Sequence, residues 1–107
     1  MVSLFVYRDT DYPEGPVFIA YCPELDLTGA DITAASARRS FNIVLRDYLD
    51  YGLQNGTLED DLAKHGWVRG KDGRICQPSN SAMLKEKRVR EILRQNEYHK
   101  YAIPVAL

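Results

Sequence analysis

The feature that most constrains the fold is one amphipathic helix that follows a run of strand-like segments. Between Thr33 and Tyr51, apolar residues recur at spacings of three and four, as on one face of a helix. These residues are Ala34, Ala37, Phe41, Val44, Leu45, Tyr48 and Leu49. Thr33 is a good N-cap residue, and Gly52 is the expected C-cap. Burying each large side chain of this face is worth ~1.5–3 kcal/mol, so the rest of the chain must supply a surface that covers it.

Three segments before the helix are typical of β-strands. Val2 to Arg8, Val17 to Cys22 and Leu25 to Ile32 are rich in residues that suit a pleated surface, and turn-forming residues separate them. The short connections predict an antiparallel meander. Val2, Leu4 and Val6 should share one face of the sheet, and Gly29 is expected to mark a kink or bulge in the third strand.

The second half of the chain predicts two more helices and a returning strand. A short helix is expected from Leu58 to His65, capped by Thr57, and a basic helix from about Ala82 to Gln95, capped by Ser79 or Ser81. Trp67 and Val68 should fold back onto the core. The structure of residues 67–77, including whether they form a hairpin, stays open. Tyr98 to Leu107 alternates as a strand, and Pro104 requires that strand to lie at an edge or a bulge.

The element order βββα…αβ predicts a single α+β domain over residues 1–107, with helices packed on one face of a mixed sheet. The returning strand is expected beside the first strand and parallel to it.

Composition places the chain among soluble globular proteins. Hydrophobic residues make up 45% and charged residues 27% of it. No apolar run approaches the ~20 residues that span a bilayer, and the N-terminus lacks a signal-peptide pattern. We therefore expect a cytoplasmic protein without a membrane segment. Cys22 and Cys76 are too far apart in sequence for a metal knuckle, and Cys22 lies in an apolar strand pattern that predicts a buried thiol.

The formal charge of −1 hides an asymmetry between the two halves of the chain. Residues 1–65 contain eleven acids and five bases, whereas residues 66–107 contain four acids and nine bases. This division suggests either two partners or self-association through opposite patches. A solvated surface on which the signs happen to segregate explains it equally well.

An ordered set of motifs resembles the HicB-like antitoxins of HicA–HicB toxin–antitoxin systems. The Phe18–Leu27 segment resembles the family's strand followed by Pro-Glu-Leu, and Gly29, Thr33 and Ala37 match the start of its long helix. The segments Tyr51–Leu58, Ile75–Ser79 and Ile103–Val105 resemble later family elements in the right order. The sequence departs from the family at Asp31-Ile32-Thr33, where Gly-Asp-Thr is usual.

This resemblance implies a partial ribonuclease-H-like fold that binds a protein and does not cleave a substrate. The implied partner is a small, basic HicA-type toxin that cleaves mRNA, and we expect a homodimer with no cofactor and no metal. Many family members carry a C-terminal DNA-binding domain, but this sequence ends directly after the final strand, so we do not expect direct DNA binding. Acidic residues are the candidates for the toxin contact: Asp26, Asp31, Asp47, Asp50, Glu59, Asp60 and Asp61.

Two alternatives remain from the sequence. One is a homo-oligomeric module without a toxin partner, formed through an edge strand or through the opposite charges of the two halves. The other is a metal-dependent nuclease, which needs several carboxylates that converge on Mg²⁺. Its candidates are Asp9, Asp11, Glu24, Asp26 and Asp31. The basic helix favours a solvated face over a nucleic-acid contact, because it lacks interleaved aromatic residues and contains Glu86 and Glu91.

Overall fold

The computed structural model of the chain describes residues 1–11, 13–78, 83, 85–95 and 97–105. The strands are β1 (Val2–Asp9), β2 (Val17–Cys22), β3 (Leu27–Asp31), β4 (Val68–Arg69), β5 (Ile75–Cys76) and β6 (Tyr98–Ile103). The helices are α1 (Ala34–Asn55), α2 (Leu58–Lys64) and α3 (Lys87–Gln95). The predicted caps at Ser79 or Ser81, the start of the basic helix at Ala82, and the last two residues of the predicted final strand lie outside the described residues.

The main sheet has the strand order β3-β2-β1-β6, and every neighbouring pair is antiparallel. The predicted meander is confirmed, as is the position of the last strand beside the first. The predicted parallel direction of that strand, and with it the mixed sheet, is wrong. The reason is that α3 crosses the sheet once more, from Tyr21 at one end to Asp9 at the other. The chain therefore re-enters the sheet at the Tyr7 end of β1 and runs back toward Val2.

Both faces of the sheet are covered. On the first face, Val2, Leu4 and Val6 pack with Phe41 of α1 and Leu62 of α2 in one buried cluster. On the second face, a separate buried cluster consists of Phe5, Tyr7, Ile19, Tyr21, Val89 and Ile92. The prediction that the helices share one face is correct for α1 and α2 and wrong for α3. Phe5 and Tyr7 alternate with the first-face residues of β1, so the second face is also apolar and needs a cover of its own.

The N-terminus of α1 is as predicted, and its C-terminus is not. Thr33 accepts a hydrogen bond from the Ser36 amide at 3.1 Å, and the Ser36 hydroxyl accepts one from the Thr33 amide at 3.2 Å. The helix continues past the predicted cap Gly52 and ends at Gly56, which has a φ of 65°. Gly52 is buried inside the helix, where a Cβ would lie 2.9 Å from the Cβ of Leu58. Gly52 therefore allows α2 to pack closely against α1.

The segment after α1 corrects three smaller predictions. Thr57 makes no side-chain capping hydrogen bond to α2. Trp67 is buried as predicted, but Val68 is 63% exposed because it begins a two-stranded hairpin of β4 and β5. Gly29 makes no bulge, since the register of β2 and β3 runs unbroken through it.

A buried carboxylate holds the end of β2 against β1. Glu24 is 1% exposed, and its carboxylate accepts a hydrogen bond from the Ser3 amide at 2.6 Å. Its backbone carbonyl accepts one from the indole N–H of Trp67 at 2.7 Å. Pro23 and Glu24 follow the end of β2, so the carboxylate replaces the ladder acceptor that β2 would have supplied to Ser3. The Pro-Glu-Leu segment thus has a structural explanation in this chain.

Replacing Glu24 tests that explanation. We expect Glu24→Ala to lower the free energy of unfolding by about 3 kcal/mol, because the Ser3 amide loses its acceptor and a cavity forms. Glu24→Gln keeps a carbonyl oxygen for the same amide and should cost clearly less. Urea unfolding of both variants measures the difference. Equal losses for Ala and Gln would contradict a role for the acceptor.

The two cysteines should react very differently. Cys22 is buried, and burial together with the nearby Glu24 carboxylate raises the pKa of its thiol to about 12, whereas Cys76 is exposed. Only the thiolate attacks a disulfide reagent, so at pH 8 we expect Cys76 to react quickly and Cys22 only after denaturation. An aromatic disulfide reagent followed by absorbance measures both phases, and Cys76→Ser should remove the fast one. Rapid reaction of both thiols in the native protein would show that the first-face core is open.

Candidate protein-binding surface

The junction of α1 and α2 collects most of the acidic residues predicted to contact a partner. Asp47 and Asp50 lie in the C-terminal half of α1, and Glu59, Asp60 and Asp61 form the first turn of α2. The chain has no lysine, arginine or histidine between Asp47 and Asp61. We refer to these five acidic residues as the acidic corner.

The turn between the helices folds α2 back against α1. Gly56 adopts the left-handed conformation that ends α1, and the Thr57 amide donates to the Gly52 carbonyl at 3.0 Å. Asp61 then lies close enough to Tyr48 of α1 to influence its hydroxyl, whose pKa is raised by burial and, second, by the Asp61 carboxylate. The first turns of α2 thus pack against the Tyr48 and Gly52 side of α1, while helical spacing places Asp47 and Asp50 on the outward side of α1.

Most of the charge at the acidic corner stays free for a partner. Asp47, Asp50 and Asp60 are exposed and have no ion-pair partner among the described residues. Asp61 lies 3.9 Å from Lys64, and Glu59 accepts from the Arg69 Nε at 2.9 Å. Lys64 and Arg69 therefore offset the charge of two of the five carboxylates, and the acidic corner keeps a net negative charge.

Three apolar side chains lie exposed beside these acids. Ile43, Tyr51 and Leu53 of α1 are 64%, 67% and 69% exposed. Ile43, Asp47, Asp50 and Tyr51 follow the helical spacing of one outward face. Exposed apolar side chains among charged residues are typical of a surface that binds another protein. The sequence prediction missed these three residues, although apolar residues outside the apolar stripe of α1 were a usable signal.

Asp26 and Asp31, the other two predicted contact residues, lie elsewhere. Asp26 follows β2 with a φ of 51° and accepts a hydrogen bond from the Tyr21 hydroxyl at 3.2 Å. Asp31 ends β3, where its carboxylate accepts from the Ile32 amide at 2.8 Å. Five of the seven predicted residues therefore lie on α1 and α2, whereas Asp26 lies between β2 and β3 and Asp31 ends β3.

Asp26 borders a cleft of about 400 Å³ beside the second face. The Arg88 guanidinium lies 4.1 Å from the centre of the Tyr21 ring, and Lys64, His65 and Glu86 also line the cleft. Burial and, second, the Asp26 carboxylate raise the pKa of Tyr21. Since Tyr21 donates to Asp26 and packs under Arg88, these contacts hold the turn after β2 in place.

The carboxylates considered for a nuclease do not converge. Asp9 and Asp31 lie toward the same end of the sheet but on opposite faces, since Asp9 shares the second face with Tyr7 whereas Asp31 pairs with Phe18 on the first. Glu24 is buried at the other end and is held by Ser3. Within the described part of the chain, no group of three or more His, Cys, Asp or Glu residues could hold a metal ion.

The basic helix α3 presents its charges to solvent. Val89 and Ile92 are buried against the second face, while Lys87, Arg88, Arg90 and Arg94 are exposed. Lys87 and Glu91 approach to 3.9 Å as an exposed i,i+4 pair. This arrangement agrees with the solvated face that the sequence favours.

Comparison with known proteins adds no relative. A scan against family models, a search of curated proteins and a search of solved structures each found no match. No helix in the described ranges is long and apolar enough to cross a membrane. Function must therefore be inferred from the geometry of the chain itself.

Proposed function

We propose that this chain is a non-catalytic protein-binding module, similar to a HicB-like antitoxin, that neutralises a small basic toxin by direct binding. The toxin class that the resemblance implies is the HicA type, which cleaves mRNA, so the complex would form in the cytoplasm. The observation that carries the proposal is the acidic corner, where five acidic residues lie on the two helices next to one another in sequence and the exposed Tyr51 and Leu53 flank Asp47 and Asp50 on α1.

The acidic corner suits a basic partner for two physical reasons. Its carboxylates Asp47, Asp50 and Asp60, which pair with no cation in the described part of the chain, attract a positively charged surface and speed encounter, most strongly at low salt. Tyr51 and Leu53 then offer apolar contact area, and aromatic side chains often contribute most of the binding energy at such interfaces. Charge would govern the association rate, while the apolar contacts would govern the lifetime of the complex.

The fold supports the proposal through the arrangement of its strands and its long helix. A three-stranded meander, a long helix across one face and a further strand beside β1 are the elements that the resemblance implies. The antiparallel direction of β6 departs from the expected topology. The proposal therefore depends on the surface more than on the fold.

The competing function is a homo-oligomeric module without a toxin. The exposed edge strand β6 favours this possibility, because unpaired strand edges associate readily. An adjacent reading frame for a small basic protein would favour the antitoxin function, since a self-associating module requires no such gene.

A cleavage assay tests the proposed function directly. The tagged chain is purified from its native cells, and any small basic protein that co-purifies is separated under denaturing conditions and refolded. We expect that protein to cleave a messenger RNA in vitro and to lose that activity when the chain is added back in equal amount. A chain that purifies without a basic partner, or a partner whose RNA cleavage is unaffected by the chain, would overturn the proposal.

A further inference from the structure

The outer edge of β6 leaves a row of backbone hydrogen-bonding groups exposed. β6 is the last strand of the main sheet, and among the described residues only β1 pairs with it. Tyr98, His99, Lys100 and Ala102 are all exposed. The strand is long enough to add another strand, and such an edge is usually protected or paired.

The hydrogen bond at Ser3 shows which residues of β6 face outward. The Ser3 amide points toward β2, because it donates to Glu24, which follows that strand. The backbone groups of alternate residues point to opposite sides of a strand, so Val2, Leu4 and Val6 bond to β6. Their partners are Ile103, Tyr101 and His99. The amides and carbonyls of Tyr98, Lys100 and Ala102 consequently point away from the sheet.

We propose that two copies of the chain pair antiparallel through this edge, with Tyr101 lying opposite the Tyr101 of the second copy. The two-fold axis runs perpendicular to the sheet, so α1 of both copies lies on one side and α3 of both copies on the other. The four-stranded sheet of each copy becomes half of one continuous sheet.

The charge of Lys100 favours the register centred on Tyr101 over the register centred on Lys100. Pairing centred on Lys100 would place two lysine side chains directly opposite each other, which is destabilising. Pairing centred on Tyr101 places Lys100 opposite Ala102 of the second copy and makes as many inter-strand hydrogen bonds. Pro104 then lies opposite Tyr98 at the end of the pairing, where its carbonyl can accept from the Tyr98 amide and its missing amide forfeits one terminal hydrogen bond per copy.

The side chains at this centre favour a second copy over an unrelated strand. Two tyrosines in direct opposition form an aromatic cross-strand pair, which stabilises a sheet. The Arg38 guanidinium lies 4.0 Å from the centre of the Tyr101 ring, so the ring is already held in place within each copy. Lys100, one position away, would repel a foreign strand that places a basic residue opposite it.

A disulfide trap tests both the pairing and its register. In a Cys76→Ser background, Tyr101→Cys should form a covalent dimer on mild oxidation, because opposed residues of a non-hydrogen-bonded pair have Cα atoms about 4.5 Å apart. Ala102→Cys, which keeps Lys100 and lies opposite Lys100 of the second copy in the proposed register, should cross-link much more slowly, and Leu53→Cys on α1 serves as the control for random collision. Faster cross-linking of Ala102→Cys, or no excess of Tyr101→Cys over Leu53→Cys, would overturn the proposal.

A second pair of variants covers the case in which Tyr101→Cys is poorly folded. Ala102→Pro removes an amide that points outward and leaves the bonds to β1 in place, so it should shift the protein from dimer to monomer in sedimentation equilibrium. Ala102→Val keeps that amide and should remain dimeric. A monomeric wild-type chain, or a dimer that survives Ala102→Pro, would contradict pairing through β6.

Discussion

We expect Gly29→Ala to lower the free energy of unfolding by about 3 kcal/mol or more. A Cβ at Gly29 would lie 2.4 Å from the Phe41 amide nitrogen and 2.7 Å from its Cα. These are backbone atoms of α1, so no side chain can rotate away to make room. Either β3 or the whole helix must shift, and that shift would disturb the packing of Phe41, which is fully buried.

Thermal and urea unfolding measure this effect, and Gly70→Ala provides the matched control. Gly70 lies in the hairpin of β4 and β5, where an added Cβ comes closest to the flexible Asp72 carboxylate at 3.1 Å. For a domain of this size, the loss at Gly29 corresponds to a fall in Tm of at least about 10 °C. If both variants melt within a few degrees of the wild type, the close approach of β3 and α1 is wrong.

The double variant Asp47→Lys with Asp50→Lys should weaken binding of the co-purifying basic protein by about 100-fold at low salt, equivalent to about 2.7 kcal/mol. Both side chains are exposed on α1, so the substitutions leave the core intact. They place two cations beside Tyr51, where a basic partner would then be repelled. Most of the loss should lie in the association rate, because the apolar contacts remain.

Asp11→Lys with Glu14→Lys is the control for this charge reversal. It changes the net charge by the same amount in the exposed loop between β1 and β2. We expect affinity close to that of the wild type, and we expect the difference between the two variants to shrink as salt screens the charges. Surface plasmon resonance at several salt concentrations measures both. Equal weakening by both variants would indicate a general charge effect and would remove the acidic corner from the proposed interface.

The sequence predicted the first half of the fold well because its signals are local. Alternation along β1 and β2, the capping residue Thr33 and the apolar stripe of α1 each depend on neighbouring residues. Their positions in the structure agree with the pattern. The end of α1 was missed because Gly52 has two possible explanations, a cap or a close helix contact, and only the position of Leu58 decides between them.

The errors in the second half have a non-local cause. The direction of β6 depends on α3 crossing to the second face, and that crossing depends on Phe5, Tyr7, Ile19 and Tyr21 being uncovered by α1. The first strands show two apolar faces, but the spacing of residues in α3 does not say which face it covers. The acidic residues of α1 and α2 are visible in the sequence as charge, whereas the positions of Asp26 and Asp31 away from those helices required the folded chain.

The helices that cover the two faces of the sheet also divide the molecule into two parts that differ in their resistance to local unfolding. The helix α3 is held on the second face mainly by Val89 and Ile92, and within one copy β6 pairs, among the described residues, with β1 alone. Release of these two elements would uncover the second-face cluster and remove Tyr101 and Ile103 from the margin of the first-face cluster, while Phe41 and Leu62 keep α1 and α2 packed there. The chain is thus built to open in stages, with the α3–β6 unit as the first to exchange with solvent and the α1 layer as the last.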